Sequence, residues 1–188
     1  MDDFSRQPLA FAGLRGIVYN RLRGQLEKFH LLGRDYPINL YHNFAIEDMD
    51  KKLIIAIDFD GTIVTHEYPR IGKLASYAKE VINKLVDKGH EVFLWTMRDD
   101  RGKNMMLSEA MMFLEDEGIN IHKFNRSPAQ FSTSPKQFAH IYIDDAMLGM
   151  PIIDTGEGRT VNWAAITYLL TRAGVFSKDE YTQIIGED

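Results

Sequence analysis

The chain contains no cysteine. A disulfide, a thiolate nucleophile and a cysteine-ligated zinc site are therefore excluded, and the composition agrees with a reducing compartment. Also missing is any apolar stretch approaching the ~20 residues needed to span a bilayer. The opening MDDFSRQPLA lacks the charged-then-apolar order of a signal peptide. These absences lead to the expectation of a cytoplasmic protein with no transmembrane segment. Nor is there an excess of positive charge: a net charge of -5 offers no general attraction to a phosphate backbone, so there is no strong nucleic-acid signal. No internal repeat or low-complexity tract interrupts the chain. What is present is 188 residues, 45% hydrophobic and 26% charged, enough for a globular domain with a substantial core.

Leu53 to Val64 reads LIIAIDFDGTIV, an apolar run that ends abruptly in Asp58, Phe59, Asp60, Gly61 and Thr62. It places two carboxylates at the mouth of a buried strand. Carboxylates beside apolar surface are costly unless compensated, and the usual compensation is a hard cation held by oxygen ligands. Magnesium is the expected ion. Gly61 permits a tight turn, and the plain alternative is an Asx-type turn in which Asp-Gly is only good turn chemistry. An EF-hand loop fits less well, because the run of oxygen ligands ending in Glu is missing.

From Lys51 onward strand-like and helix-like segments alternate, the pattern of a parallel sheet covered by helices on both faces. Strand-like runs are Leu53–Ile57, Glu91–Thr96, Ile119–Phe124 and His140–Asp145. Between them lie a helix carrying Leu74, Ala78, Val81, Ile82 and Leu85 on one face and ending near Gly89, and a Met-rich helix over Lys103–Glu117. After Gly149 the sequence implies a helix over Asn162–Arg172, and Ser177 with Glu180 forms a capping box for a last short helix. In open parallel sheets ligands sit beyond the carboxyl ends of the strands. The strand-terminal residues Asp58, Asp60, Thr96, Asp144 and Asp145 are thus expected to converge on one crevice.

Residues 1–48 differ in character from the domain expected over 49–188. Leu14, Val18, Leu22 and Leu26 recur at fourfold spacing among Arg15, Arg21, Arg23 and Lys28, with Phe29 continuing the apolar stripe; this reads as a basic amphipathic helix weakened by Gly13, Gly16 and Gly24. A packing extension is the favoured reading. A lid or membrane-surface helix, or a stretch upstream of a native start at Met49, remain alternatives.

DFDGT after an apolar strand, Thr96 ending LWT, Lys136, and IDD ending another strand, in this order, resemble the four motifs of the haloacid dehalogenase-like hydrolases. The resemblance covers about Lys51 to Met150, with the first and last motifs carrying most of its specificity. It implies a three-layer Rossmann-like α/β fold, and the short intervals between motifs leave no room for a cap domain. By resemblance, Asp58 is the nucleophile and Asp60 the general acid and base. Magnesium is held by the Asp58 carboxylate, the Asp60 carbonyl and the last acidic pair, with Asp145 as direct ligand and Asp144 as its neighbour. Thr96 donates to a phosphoryl oxygen and Lys136 balances charge, with Lys123 as competitor for that role.

The expected activity is hydrolysis of a phosphate monoester of a small molecule through an aspartyl-phosphate. Gly61 and Arg98 are the expected substrate contacts. Arg98, Arg101 and Arg126 follow strand ends and could select the leaving group, while His66, Glu67, Tyr68 and Pro69 lie where a short flap would cover the site. Missing a cap, the crevice is open or covered by another subunit, so a homo-oligomer is one possible arrangement. The alternatives are a noncatalytic magnesium-binding interaction module and a nucleic-acid end-processing phosphatase.

Overall fold

The computed structural model describes residues 28–31, 34–37, 52–101, 104–129 and 133–186. The chain divides into two compact units, Met1–Ala45 and Ile46–Asp188. In the first, β1 (Lys28–Leu31) pairs antiparallel with β2 (Arg34–Pro37), Phe29 opposite Tyr36. Phe29 therefore belongs to a strand rather than to the expected helical stripe. The helix expected over Leu14–Leu26 lies outside the described residues.

The second unit is an α/β fold built on β3 (Ile54–Ile57), the middle strand of a parallel sheet ordered β4 (Glu91–Leu94), β3, β5 (Ile141–Ile143). All four β3 residues are buried, which a strand covered on both faces requires and an unbroken apolar run of three isoleucines and an alanine supplies. Ile55 and Ile57 point into the larger core. There they meet Val81, Ile82 and Leu85 of α1 (Ala78–Asp87), Ala110 and Leu114 of α2 (Met106–Asp116), and Trp163, Ile166 and Leu170 of α3 (Trp163–Arg172). Ile54, Ala56 and Phe93 point the other way. Among the described residues, that face is covered by Ala129, Phe138 and Ala139 of the connection into β5 rather than by a helix.

Three local expectations shift. Leu74 stands ahead of α1, bridging to Val64 across the loop that carries His66, Glu67, Tyr68 and Pro69, the expected flap. The run Ile119–Phe124 buries Ile119 and Ile121 but joins the sheet only through a bridge between Phe124 and Leu94. Helix α2 starts at Met106 because Asp100 reaches its first turn, accepting from the Leu107 and Ser108 amides and from the Ser108 hydroxyl at 2.6–3.0 Å. Beyond β5 the chain forms a hairpin of β6 (Ile152–Asp154) and β7 (Arg159–Val161), then α3, capped by Asn162. Last comes α4 (Lys178–Ile185), whose Ser177–Glu180 capping box is formed in both directions. Among the described residues, no helix is long and apolar enough to cross a membrane.

Candidate active site

The carboxyl ends of β3 and β5 lie side by side, since the Asp58 amide donates to the Ile143 carbonyl at 2.9 Å. That register brings Asp58, Asp144 and Asp145 together. One carboxylate oxygen from each lies within 4.8 Å of the others, close enough to hold one metal ion. The donor set is all carboxylate oxygen, which suits a hard divalent cation. Asp144 and Asp145 both belong to the cluster, so the geometry does not rank one above the other as ligand.

The backbone around the cluster is made for it. Gly61 has φ +75°, and a Cβ there would strike the Asp145 carboxylate, with Cγ only 2.8 Å away. Gly61 thus makes room for Asp145. The Thr62 hydroxyl accepts from the Asp145 amide at 3.0 Å, while the Thr62 carbonyl accepts from the Thr160 hydroxyl and the Trp163 indole. One buried turn therefore ties the end of β3 to the end of β5 and to α3.

Crowding of negative charge shows in the acids. Burial, opposed by a hydrogen bond from the Phe59 backbone and reinforced by Asp144, Asp145 and Asp60, pushes the Asp58 carboxyl up from 3.8 to about 7. Burial and Asp144 also raise Asp145, and the charges of His66 and Arg159 partly offset this. A cation among these groups would relieve the repulsion.

Asp60 is placed differently. Its two oxygens accept from Nε and Nη2 of Arg98 at 2.8 and 2.7 Å, a two-pronged pair in which the guanidinium is fully buried. Arg98 also donates to the carbonyls of Pro69 and Arg70 at 3.1 and 2.8 Å, and it stacks near the rings of Phe59 and Tyr68. The expectation of Arg98 as a substrate contact gives way to a clamp joining Asp60 to the flap. Asp60's carboxylate stands outside the metal-holding cluster, so only its backbone carbonyl is left for the expected ligand role.

Thr96 lines a cleft of about 400 Å³ together with Asp58, Trp95, Met97, Asn125, Pro135, Gln137 and Asp144. The cleft joins Thr96 to the nucleophile candidate. Asn125 organises this wall: its side chain accepts from the Thr96 amide at 2.8 Å and donates to the Arg98 carbonyl at 3.2 Å. Its φ of +50° is a left-handed conformation that Asn tolerates better than most residues. The sequence reading missed Asn125. Its signal was its position just after a strand-like run, the same logic that singled out Thr96.

Lys136 is exposed between the lining residues Pro135 and Gln137, at the rim of the cleft. Its competitor Lys123 is committed elsewhere, pairing with Glu91 at 2.6 Å. Arg101 pairs with Asp99 on the surface and Arg126 is exposed, so neither is among the residues lining the cleft.

No family model matches the chain, and no curated protein matches it. A solved structure does: a conserved protein from Bacteroides thetaiotaomicron, 30% identical, spanning 68% of this chain and all of that one with a TM-score of 0.50. The chain belongs to the family of that conserved protein. The likeness supports the α/β architecture, and the description of that protein names no activity.

Proposed function

We propose that the chain is a magnesium-dependent phosphatase that hydrolyses a phosphate monoester of a small molecule. The observation that carries this reading is the convergence of the Asp58, Asp144 and Asp145 carboxylates at the carboxyl end of the sheet, with Asp58 and Asp144 lining a cleft that also holds Thr96. Asp58, the acidic pair and the Asp60 carbonyl would hold magnesium, which supplies the positive charge that lets an anionic ester approach a carboxylate.

An Asp58 oxygen attacks phosphorus, forming the aspartyl-phosphate as the bond to the leaving oxygen breaks. Asp60 gives that oxygen a proton, and in the second half takes one from the water that attacks the phosphoenzyme, releasing inorganic phosphate and restoring Asp58. Both roles require an Asp60 oxygen to turn away from Arg98. Thr96 donates its hydroxyl to a phosphoryl oxygen, and Lys136 at the rim balances charge.

The Asp60–Arg98 pair favours one other reading, a noncatalytic magnesium-binding module in which Asp60 serves only structure. Mapping of label in acid-quenched protein after incubation with a labelled phosphate monoester and magnesium separates the two. Label on Asp58, lost in Asp58→Asn and accumulating in Asp60→Asn, is the expected result; no label with any ester would overturn the phosphatase.

A further inference from the structure

The cleft beside the carboxylates has a composition that bears on the leaving group. Trp95, Met97 and Pro135 form its apolar wall, and the Trp95 amide donates to the Ile57 carbonyl at 2.8 Å, which sets that residue directly alongside Asp58. Trp95 is only partly buried, one edge against Phe93 with ring centres 6.4 Å apart. Met97 is 95% exposed, a flexible and polarizable thioether open to a ligand in the cleft.

Two of the polar lining residues, Asn125 and Gln137, are already engaged. The Asn125 side-chain amide bonds to Thr96 and Arg98, and the Gln137 side-chain oxygen accepts from the Ser127 amide at 2.8 Å. Among the described residues lining the cleft none is Lys or Arg, whereas Asp58 and Asp144 bring negative charge. Arg98, the nearest arginine in sequence, is buried and turned onto Asp60. Lys136, at the rim, serves the transferred phosphoryl group, so a leaving group with a second anionic centre would meet like charge without a further cation to pair with it. A flat apolar ring would instead meet an indole, a thioether and a proline ring. The volume of about 400 Å³ falls in the range of roughly 300–1,000 Å³ found for small-molecule sites.

We infer that the substrate is the phosphate monoester of a neutral leaving group carrying an aromatic ring, seated against Trp95, Met97 and Pro135. The assignment rests on the phosphatase reading of this same cleft. It excludes sugar bisphosphates and nucleoside diphosphates as preferred substrates.

Phosphonates contain no ester bond to break, so their affinity reports on the cleft alone. Calorimetric titration in magnesium should show phenylphosphonate binding about tenfold more tightly than methylphosphonate, a factor typical of one good aromatic contact. Phosphonoacetate, with its second anion, should bind more weakly than phenylphosphonate. Trp95→Ala should collapse the phenyl-to-methyl ratio, and Met97→Ser, at an exposed position with no packing to lose, should reduce it in a fully folded protein. In turnover, benzyl phosphate should exceed ethyl phosphate in kcat/KM, since the two alcohols are of similar acidity and differ chiefly in the ring. Equal affinity for the two phosphonates, or a preference for phosphonoacetate, would overturn the substrate class while any magnesium-dependent turnover left the phosphatase standing. A phenyl preference without turnover of any ester would overturn the phosphatase and retain the aromatic subsite. Failure of every phosphonate to bind would overturn both.

Discussion

Arg98 and Asp60 show how one buried pair can matter more than its surface appearance suggests. Removing the guanidinium leaves a buried carboxylate, and two flap carbonyls, without their donors. Arg98→Ala should therefore cost about 3–5 kcal/mol of unfolding free energy, the range for breaking a buried pair from one side, and Arg98→Lys should recover only part because an ammonium cannot form both bonds. Denaturant titration measures this, and a loss no larger than that of an exposed ion pair would refute the clamp. Gly61→Ala should weaken magnesium binding by about tenfold or more, since the new methyl displaces the Asp145 carboxylate. Calorimetry decides it; unchanged affinity would mean Asp145 is not a ligand. Asp58 sets the pH dependence. Its folded value, raised from 3.8 to about 7, means that its contribution to stability is fully present below about pH 4 and is lost as pH rises through 7 in metal-free protein. Magnesium needs the ionised form, so the gain in Tm on adding it should be larger at pH 8 than at pH 5. Equal gains at both would contradict a buried, metal-binding Asp58.

At the scale of elements, the segments that present chemistry are distinct from those that only support it. The α4 cap is purely structural: Ser177→Ala removes the hydroxyl that accepts from the Glu180 amide and should cost about 1 kcal/mol with turnover unchanged. Thermal unfolding and steady-state kinetics on the same variant test the separation. The wall after β4 is the opposite case, because its form depends on Asn125 from a different segment. Helix faces were legible from sequence, as Ala78, Val81, Ile82 and Leu85 are all buried, because a 3.6-residue period survives any choice of neighbour. Element starts were less legible. Helix α2 begins where Asp100 can reach its amides, and Ile119–Phe124 is buried without forming a ladder, because hydrogen-bonded pairing needs a partner strand at the right distance whereas burial needs only apolar side chains.

For the molecule as a whole, every residue placed at the site falls within the unit Ile46–Asp188. Residues 49–188 alone should therefore fold and retain magnesium-dependent turnover within about twofold. Kinetics and unfolding of both lengths on one ester check this, and a well-folded but inactive truncation would show that the first 48 residues complete the site.

The amino-acid sequence by itself determined that an apolar strand ends in Asp58 and Asp60, that another ends in Asp144 and Asp145, and that helices alternate with them, since burial and periodicity are properties of local composition. Tertiary structure decided which acids meet. Asp58 joins Asp144 and Asp145 because the register of β3 against β5 aligns their ends, while Asp60, two residues from Asp58, turns away to a buried Arg98. Strand register and the partner of a buried charge are set by groups distant in sequence, and no spacing within a motif encodes them.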